Sequence, residues 1–330
     1  MTNPFRNDSE GRPRAFWRVL LQFAASFAGQ ALLVTFALVG GVESADAFAG
    51  LTTLPAFVVA SGVIALVVTT LTVWLAGRFL DRRPFSNFGL RLNRAWWLDF
   101  GFGLLLGAAL MTGVFLVEFS AGWVTVAGTL EAVSGGRFLP AILVPVVFFL
   151  CVGFYEELSS RGYQLTNIAE GLNFPGVGAR GAILLAWLLS SAVFGVLHLA
   201  NPNASAVSTL NIAFAGLLLG AGYILTGQLA IPIGLHITWN FFQGNVFGFP
   251  VSGIETIGAT FVETKQGGPD LFTGGVFGPE AGLLGVGAMV VGIGAISLYV
   301  RLRYGAVRLK TSIAEPPTGK AQKPAADDPR

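Results

Sequence analysis

The chain has 330 residues, 53% of them hydrophobic and 12% charged, with a formal net charge of +2 at neutral pH. An ordinary soluble domain is about 25% charged, so this composition excludes a soluble globular protein and indicates a polytopic membrane protein. Its forty-four glycines fit that class, because small residues allow close helix approach where no hydrophobic force drives helices together. Nucleic acid is not expected as a partner; the lipid bilayer is.

Apolar runs long enough for membrane helices lie at about Phe16 to Val39, Leu54 to Leu75, Leu98 to Phe119, Phe138 to Phe154, Ala182 to Leu199, Leu210 to Leu225, Leu229 to Phe247 and Leu283 to Val300. They predict an all-α fold: a polytopic membrane helical bundle of about eight transmembrane helices around a polar cavity. The polar, basic stretch from Met1 to Arg14 precedes a long apolar run without a small-residue cleavage site, which reads as a retained first span. With Cys151 as the sole cysteine, an intramolecular disulfide is excluded.

Arginines and lysines flank the first span (Arg6, Arg12, Arg14, Arg18), join the second and third (Arg78, Arg82, Arg83, Arg91, Arg94) and follow the last (Arg301, Arg303, Arg308, Lys310). By the positive-inside rule all three segments face the cytoplasm, with both termini inside the cytoplasmic membrane. Glu43 to Asp46 and Ala121 to Gly136 read as external. Trp96 and Trp97 read as interface anchors. Gly248 to Gly282, with eight glycines before Pro279, reads as a long external loop. The expected organisation is a cytoplasmic tail (1–14), a transmembrane domain (15–310, with a core at about 138–253) and a disordered, Pro- and Ala-rich tail (311–330).

Three ionisable residues close the fourth apolar run: Glu156, Glu157 and Arg161. Each charge in a span costs roughly 2.5 to 3.5 kcal/mol on insertion scales, so such groups face a protein interior or a cavity. On a helix Glu157 and Arg161 stand at i and i+4 with the acid first, the favourable order for an ion pair, and Glu156 is left about 100° away. Both histidines of the chain also lie in apolar runs. Phe194 precedes His198 by one turn, and His236 shares a helix face with Asn240. A single buried histidine is more often a structural hydrogen-bonder. Two of them, with a carboxylate pair and an asparagine at membrane depth, are the parts of a hydrolytic site. The set Glu156, His198 and His236 is also a candidate metal site, so a divalent metal such as zinc, or no cofactor at all, is left open. No HExxH motif occurs.

The ordered series Glu-Glu-x-x-x-Arg, Phe-x-x-x-His and His-x-x-x-Asn resembles the CPBP family of intramembrane proteases, the CAAX prenyl endopeptidase and bacteriocin-processing type. The resemblance covers about Phe138 to Gly253. It implies an eight-span helical fold, a cavity open to the cytosol and peptide-bond hydrolysis of a membrane-associated protein or peptide. Carried over, it implies that Glu156 activates water with His198, that His236 and Asn240 stabilise the oxyanion, and that Glu157 and Arg161 brace the helix. Ser159 and Ser160 depart from the pattern, since many members carry a bulky apolar residue before the arginine. A non-catalytic scaffold or immunity protein binding a peptide, and a proton-coupled transporter, are the alternative readings. For the polar residues to meet, the fourth helix must run on past Arg161 and the fifth must stop at Asn201-Pro202-Asn203 inside the membrane.

Overall fold

The structure, a computed structural model, describes residues 3–8, 10–39, 54–133 and 135–317. Its helices in chain order are α1 (Ala15–Val39), α2 (Pro55–Asp81), α3 (Arg94–Ser120), α4 (Phe138–Leu172), α5 (Gly178–Ala200), α6 (Ala206–Thr226), α7 (Ala230–Phe241) and α8 (Leu283–Tyr304). Six of them, α2 to α6 and α8, are long and apolar enough to cross a membrane. That is two fewer than the expected eight among the described residues. The seventh run forms a helix of 12 residues, α7, continued by a wide π turn over Phe242–Val246. The first forms α1, of 25 residues. The expected external loop at Glu43 to Asp46 lies outside the described residues.

Local signals set several helix starts. Asn93 caps α3 by accepting from the Trp96 backbone N–H, and Ser205 and Ser208 form a reciprocal capping box at the start of α6. Glycines then decide how closely helices pack. A Cβ at Gly103 of α3 would run into the Ile231 carbonyl of α7, and one at Gly234 of α7 would run into the Phe100 carbonyl of α3. The two backbones touch because neither position carries a side chain, which buries α7 almost completely.

Helix α4 has 35 residues, about 52 Å at 1.5 Å per residue, against a hydrocarbon thickness of about 30 Å. It is α-helical to Glu157, π-wound over Leu158–Leu165 and α-helical again over Thr166–Leu172. It therefore runs on past Arg161, as the sequence requires, and α5 loses its α winding at Leu197 before a 3-10 turn at His198–Ala200.

The first two basic segments meet at one end of the bundle. Arg18 bridges Asp81 (2.8 Å) and Glu170 (2.7 Å), Glu170 also takes Arg12 (2.5 Å) and Arg83 (2.6 Å), and Tyr163 donates to Asp81 (2.8 Å). All of these side chains are buried. The segment expected to be an N-terminal tail is thus folded: β1 (Arg6–Asn7) pairs antiparallel with β2 (Arg12–Pro13), and Arg12 leads it into the charge cluster. The start of the expected disordered tail is also ordered. Thr311–Ala314 makes a 3-10 turn that buries Ile313 and Ala314, with the Asn173 amide donating to the Ala314 carbonyl (2.9 Å). Ile313 supplies the apolar area that the rest of the tail's composition lacks. Trp96 departs from its expected anchoring role as well: it is buried, stacked on Phe100 and bonded to the Gly89 carbonyl (3.1 Å), while Trp97 is exposed.

At the opposite end, β3 (Val124–Ala132) and β4 (Ala259–Gln266) pair antiparallel, joining two segments expected as separate loops. Between β4 and α8 the chain turns back through a single helical turn at Asp270–Thr273 to Glu280, whose side chain is buried against Gln243 and Ser252.

Candidate active site

Helix α4 supplies three of the six candidate residues. Glu157 is fully buried, and its Oε1 accepts from Arg161 Nη1 (2.9 Å), the i to i+4 pair that the spacing predicts. The same Oε1 accepts from His236 Nδ1 on α7 (2.8 Å), a contact across 79 positions of sequence. Arg161 is fixed on two further sides: Nη2 donates to the Gly216 carbonyl of α6 (3.2 Å), and its guanidinium lies 4.3 Å from the Phe194 ring centre. A planar guanidinium can serve a carboxylate, a carbonyl and an aromatic face at once, which an ammonium cannot.

These contacts fix the imidazoles. A carboxylate can only accept, so the 2.8 Å contact to Glu157 puts a proton on His236 Nδ1 and turns Nε2 toward Glu156, whose Oε2 is 3.9 Å away. His198 Nδ1 lies 2.7 Å from the Phe194 carbonyl, which also only accepts, so its proton is on Nδ1 and its Nε2 is the free nitrogen. Phe194 sits between the rings, 4.7 Å from His198 and 6.2 Å from His236.

Glu156, His198, His236 and Asn240 all line one cavity of about 230 Å³. Glu156 is a fifth exposed at its side chain; its Oε2 has no partner, and its Oε1 has only a long contact to the Tyr155 hydroxyl (3.4 Å). The Asn240 amide has no hydrogen-bond partner among the described residues. A water needs on the order of 10–15 Å³ of such space, so the cavity has room for several. The structure therefore brings together all six residues that the sequence marks. Four face the cavity, and Glu157 and Arg161 stand behind His236.

Among the described residues no three His, Cys, Asp or Glu side chains are grouped to hold an ion. Both Nδ1 atoms are committed to protein acceptors, which leaves Nε2 as the uncommitted nitrogen of each ring.

The cavity ends at Val251, Ser252, Ile254 and Glu280. The sequence gives no sign of this wall. It forms because Asn201 donates to the Ser252 carbonyl (3.0 Å), and Glu280 accepts from the Ser252 hydroxyl (3.0 Å) and from Gln243. Burial pushes the Glu280 carboxyl up to about 7, and no charged neighbour contributes to that shift.

Residues 138–242 match the Rce1-like family, described as type II CAAX prenyl endopeptidase Rce1-like. The chain is also 27% identical over 173 residues to YyaK of Bacillus subtilis (strain 168), a protein described as uncharacterized. That match covers 52% of this chain and 54% of YyaK, so the chain spans about half the length of the curated relative it matches. No solved structure matches the chain.

Proposed function

We propose, from the premise that an Rce1-like segment at 138–242 holds every one of the six polar residues, that this membrane-spanning bundle is an intramembrane endopeptidase. The observation that carries the proposal is that a Glu156 oxygen without a hydrogen-bond partner and the uncommitted Nε2 of His198 belong to side chains on the wall of one cavity. A water molecule has two O–H groups, and these two acceptors can take one each. That leaves the water's lone pair to attack a peptide carbonyl.

In the step this geometry supports, the water oxygen forms a bond to the carbonyl carbon as Glu156 takes its proton. The uncommitted Asn240 amide donates to the oxygen as it gains charge. His236 joins as a second donor only while Nε2 carries a proton, because Nδ1 is already spent on Glu157. Collapse breaks the C–N bond, and the proton held on Glu156 passes to the leaving amine. The products are a carboxylic acid and an amine. Glu157 and Arg161 perform no proton transfer; they hold the His236 ring. The substrate class in this reading is a membrane-associated protein or peptide.

Purified full-length protein in detergent, assayed against a library of quenched peptides, tests the proposal. Glu156→Gln keeps the shape but cannot take a proton, so turnover should fall at least about 100-fold. Turnover measured with and without chelator separates metal-assisted from metal-free hydrolysis. Equal turnover by parent and Glu156→Gln protein would remove Glu156 from the mechanism.

A further inference from the structure

Glu156 and His198 border a second chamber, of about 240 Å³, on the side away from Asn240. Its walls come from α1 and α2 as well as α4 and α5, so part of it is built outside the Rce1-like segment. Tyr155, Phe194 and Asn201 line both spaces, which puts the Glu156 and His198 pair at the junction between them.

The second chamber is unusual in its polar groups. Ser159 and Ser160 of α4, Thr69 of α2 and Gln30 of α1 all face it. Among the described residues, none of these four side chains makes a hydrogen bond. Ser26 also lines the chamber, but its hydroxyl is committed to Thr72 (2.6 Å) and Gln22 (2.9 Å). Three hydroxyls and an amide open to the chamber offer hydrogen bonds to whatever occupies it, and an apolar occupant that displaced water would leave them unmade. The remaining wall is apolar, from Phe23, Phe27 and Leu197, with Phe27 exposed on the outer surface of α1. Among the described residues, the ionisable groups on the wall besides Tyr155 are Glu156 and His198, which the proposed chemistry already uses.

We propose that this chamber is a substrate subsite that takes an uncharged hydrogen-bonding side chain, of the Ser, Thr, Asn or Gln type, flanking the scissile bond. The inference rests on the endopeptidase reading: a peptide cut at the junction must extend to both sides of it. A cationic side chain would find no counter-charge other than the general base, and an anionic one would be repelled by it. An aliphatic side chain would leave the four polar groups unsatisfied. Ser160 is the deciding position. It is buried and bears directly on the void, so a larger apolar residue there would fill the chamber and remove a hydroxyl together.

The test uses full-length protein in detergent and matched peptides that differ only in the position flanking the cleaved bond: Gln, Leu, Lys or Glu. Cleavage is read as kcat/KM on the parent. Binding of the same peptides, labelled with a fluorophore, is read directly on the Glu156→Gln protein. The Gln peptide should be preferred at least about 10-fold over Leu, Lys and Glu in both readings, and Ser160→Leu should erase the preference while Ser160→Thr keeps it. Cleavage without that preference, or a preference that survives Ser160→Leu, overturns the subsite and leaves the endopeptidase reading standing. Binding preference without any cleavage keeps the subsite and overturns the endopeptidase reading. Absence of both overturns both. Thermal midpoints of the two Ser160 variants separate lost preference from lost folding.

Discussion

Arg161 shows how a residue can control a site that it does not line. It touches Glu157, the Gly216 carbonyl and the Phe194 face, and through Glu157 it sets the ring of His236. Removing it would leave a fully buried carboxylate whose remaining partner is an imidazole. Breaking such a buried pair costs about 3 to 5 kcal/mol, so Arg161→Ala should lower the thermal midpoint in detergent markedly. Arg161→Lys restores the charge but not the fork, and should recover only part of the loss. An unchanged midpoint with lost turnover would instead put Arg161 in the catalytic step. The Glu157 to Arg161 pair was legible because i to i+4 spacing is local. The grip of Glu157 on His236 was not, since nothing across a separation of 79 positions records which face of α7 turns toward α4.

At the scale of elements, the long fourth helix and the early stop of the fifth could be inferred from the need to bring three polar residues together. The outer segment from Gly248 to Gly282 could not. Its strand β4 pairs with β3 from before α4, and neither strand buries enough apolar surface to announce itself by alternation. Its cavity-lining acid, Glu280, is buried with neutral partners. A carboxyl raised from its ordinary 4.5 to about 7 binds its proton more tightly in the folded state. Its contribution to stability is complete below the ordinary value and is lost as pH rises through about 7, with a ceiling of about 3 kcal/mol. The thermal midpoint of the parent should therefore fall between pH 5 and 8. Glu280→Gln keeps the shape without the titration, so the difference between the two curves should widen across that window. Parallel curves would show that Glu280 is ionised throughout.

For the molecule as a whole, the two ends differ in kind. One end gathers Arg12, Arg18 and Arg83 on Asp81 and Glu170, with Tyr163 and Arg161 buried between that cluster and Glu156. By the positive-inside rule we propose that this end faces the cytoplasm. The sequence leads to the expectation of a cavity open to the cytosol, and its lining includes Ser252, Ile254 and Glu280 of the outer segment. Composition could not reveal that wall, because it is made by pairings between distant segments. Ile254 lines the cavity and is 42% exposed, so it reports on that wall. With Cys151 replaced by serine, Ile254→Cys should react with a membrane-impermeant thiol reagent added to the external face of intact cells, and a bound peptide should slow the reaction. The same reagent confined to the cytoplasmic face of inverted vesicles should leave it unmodified, while Arg308→Cys, beyond the basic end of α8, should show the reverse. Labelling of Ile254→Cys from the cytoplasmic face alone would mean that the bundle is inverted relative to its basic segments, or that the cavity opens past Arg161 by a route closed in this conformation. Labelling of Arg308→Cys tells these two outcomes apart, because inversion exchanges both patterns and an alternative route changes only one.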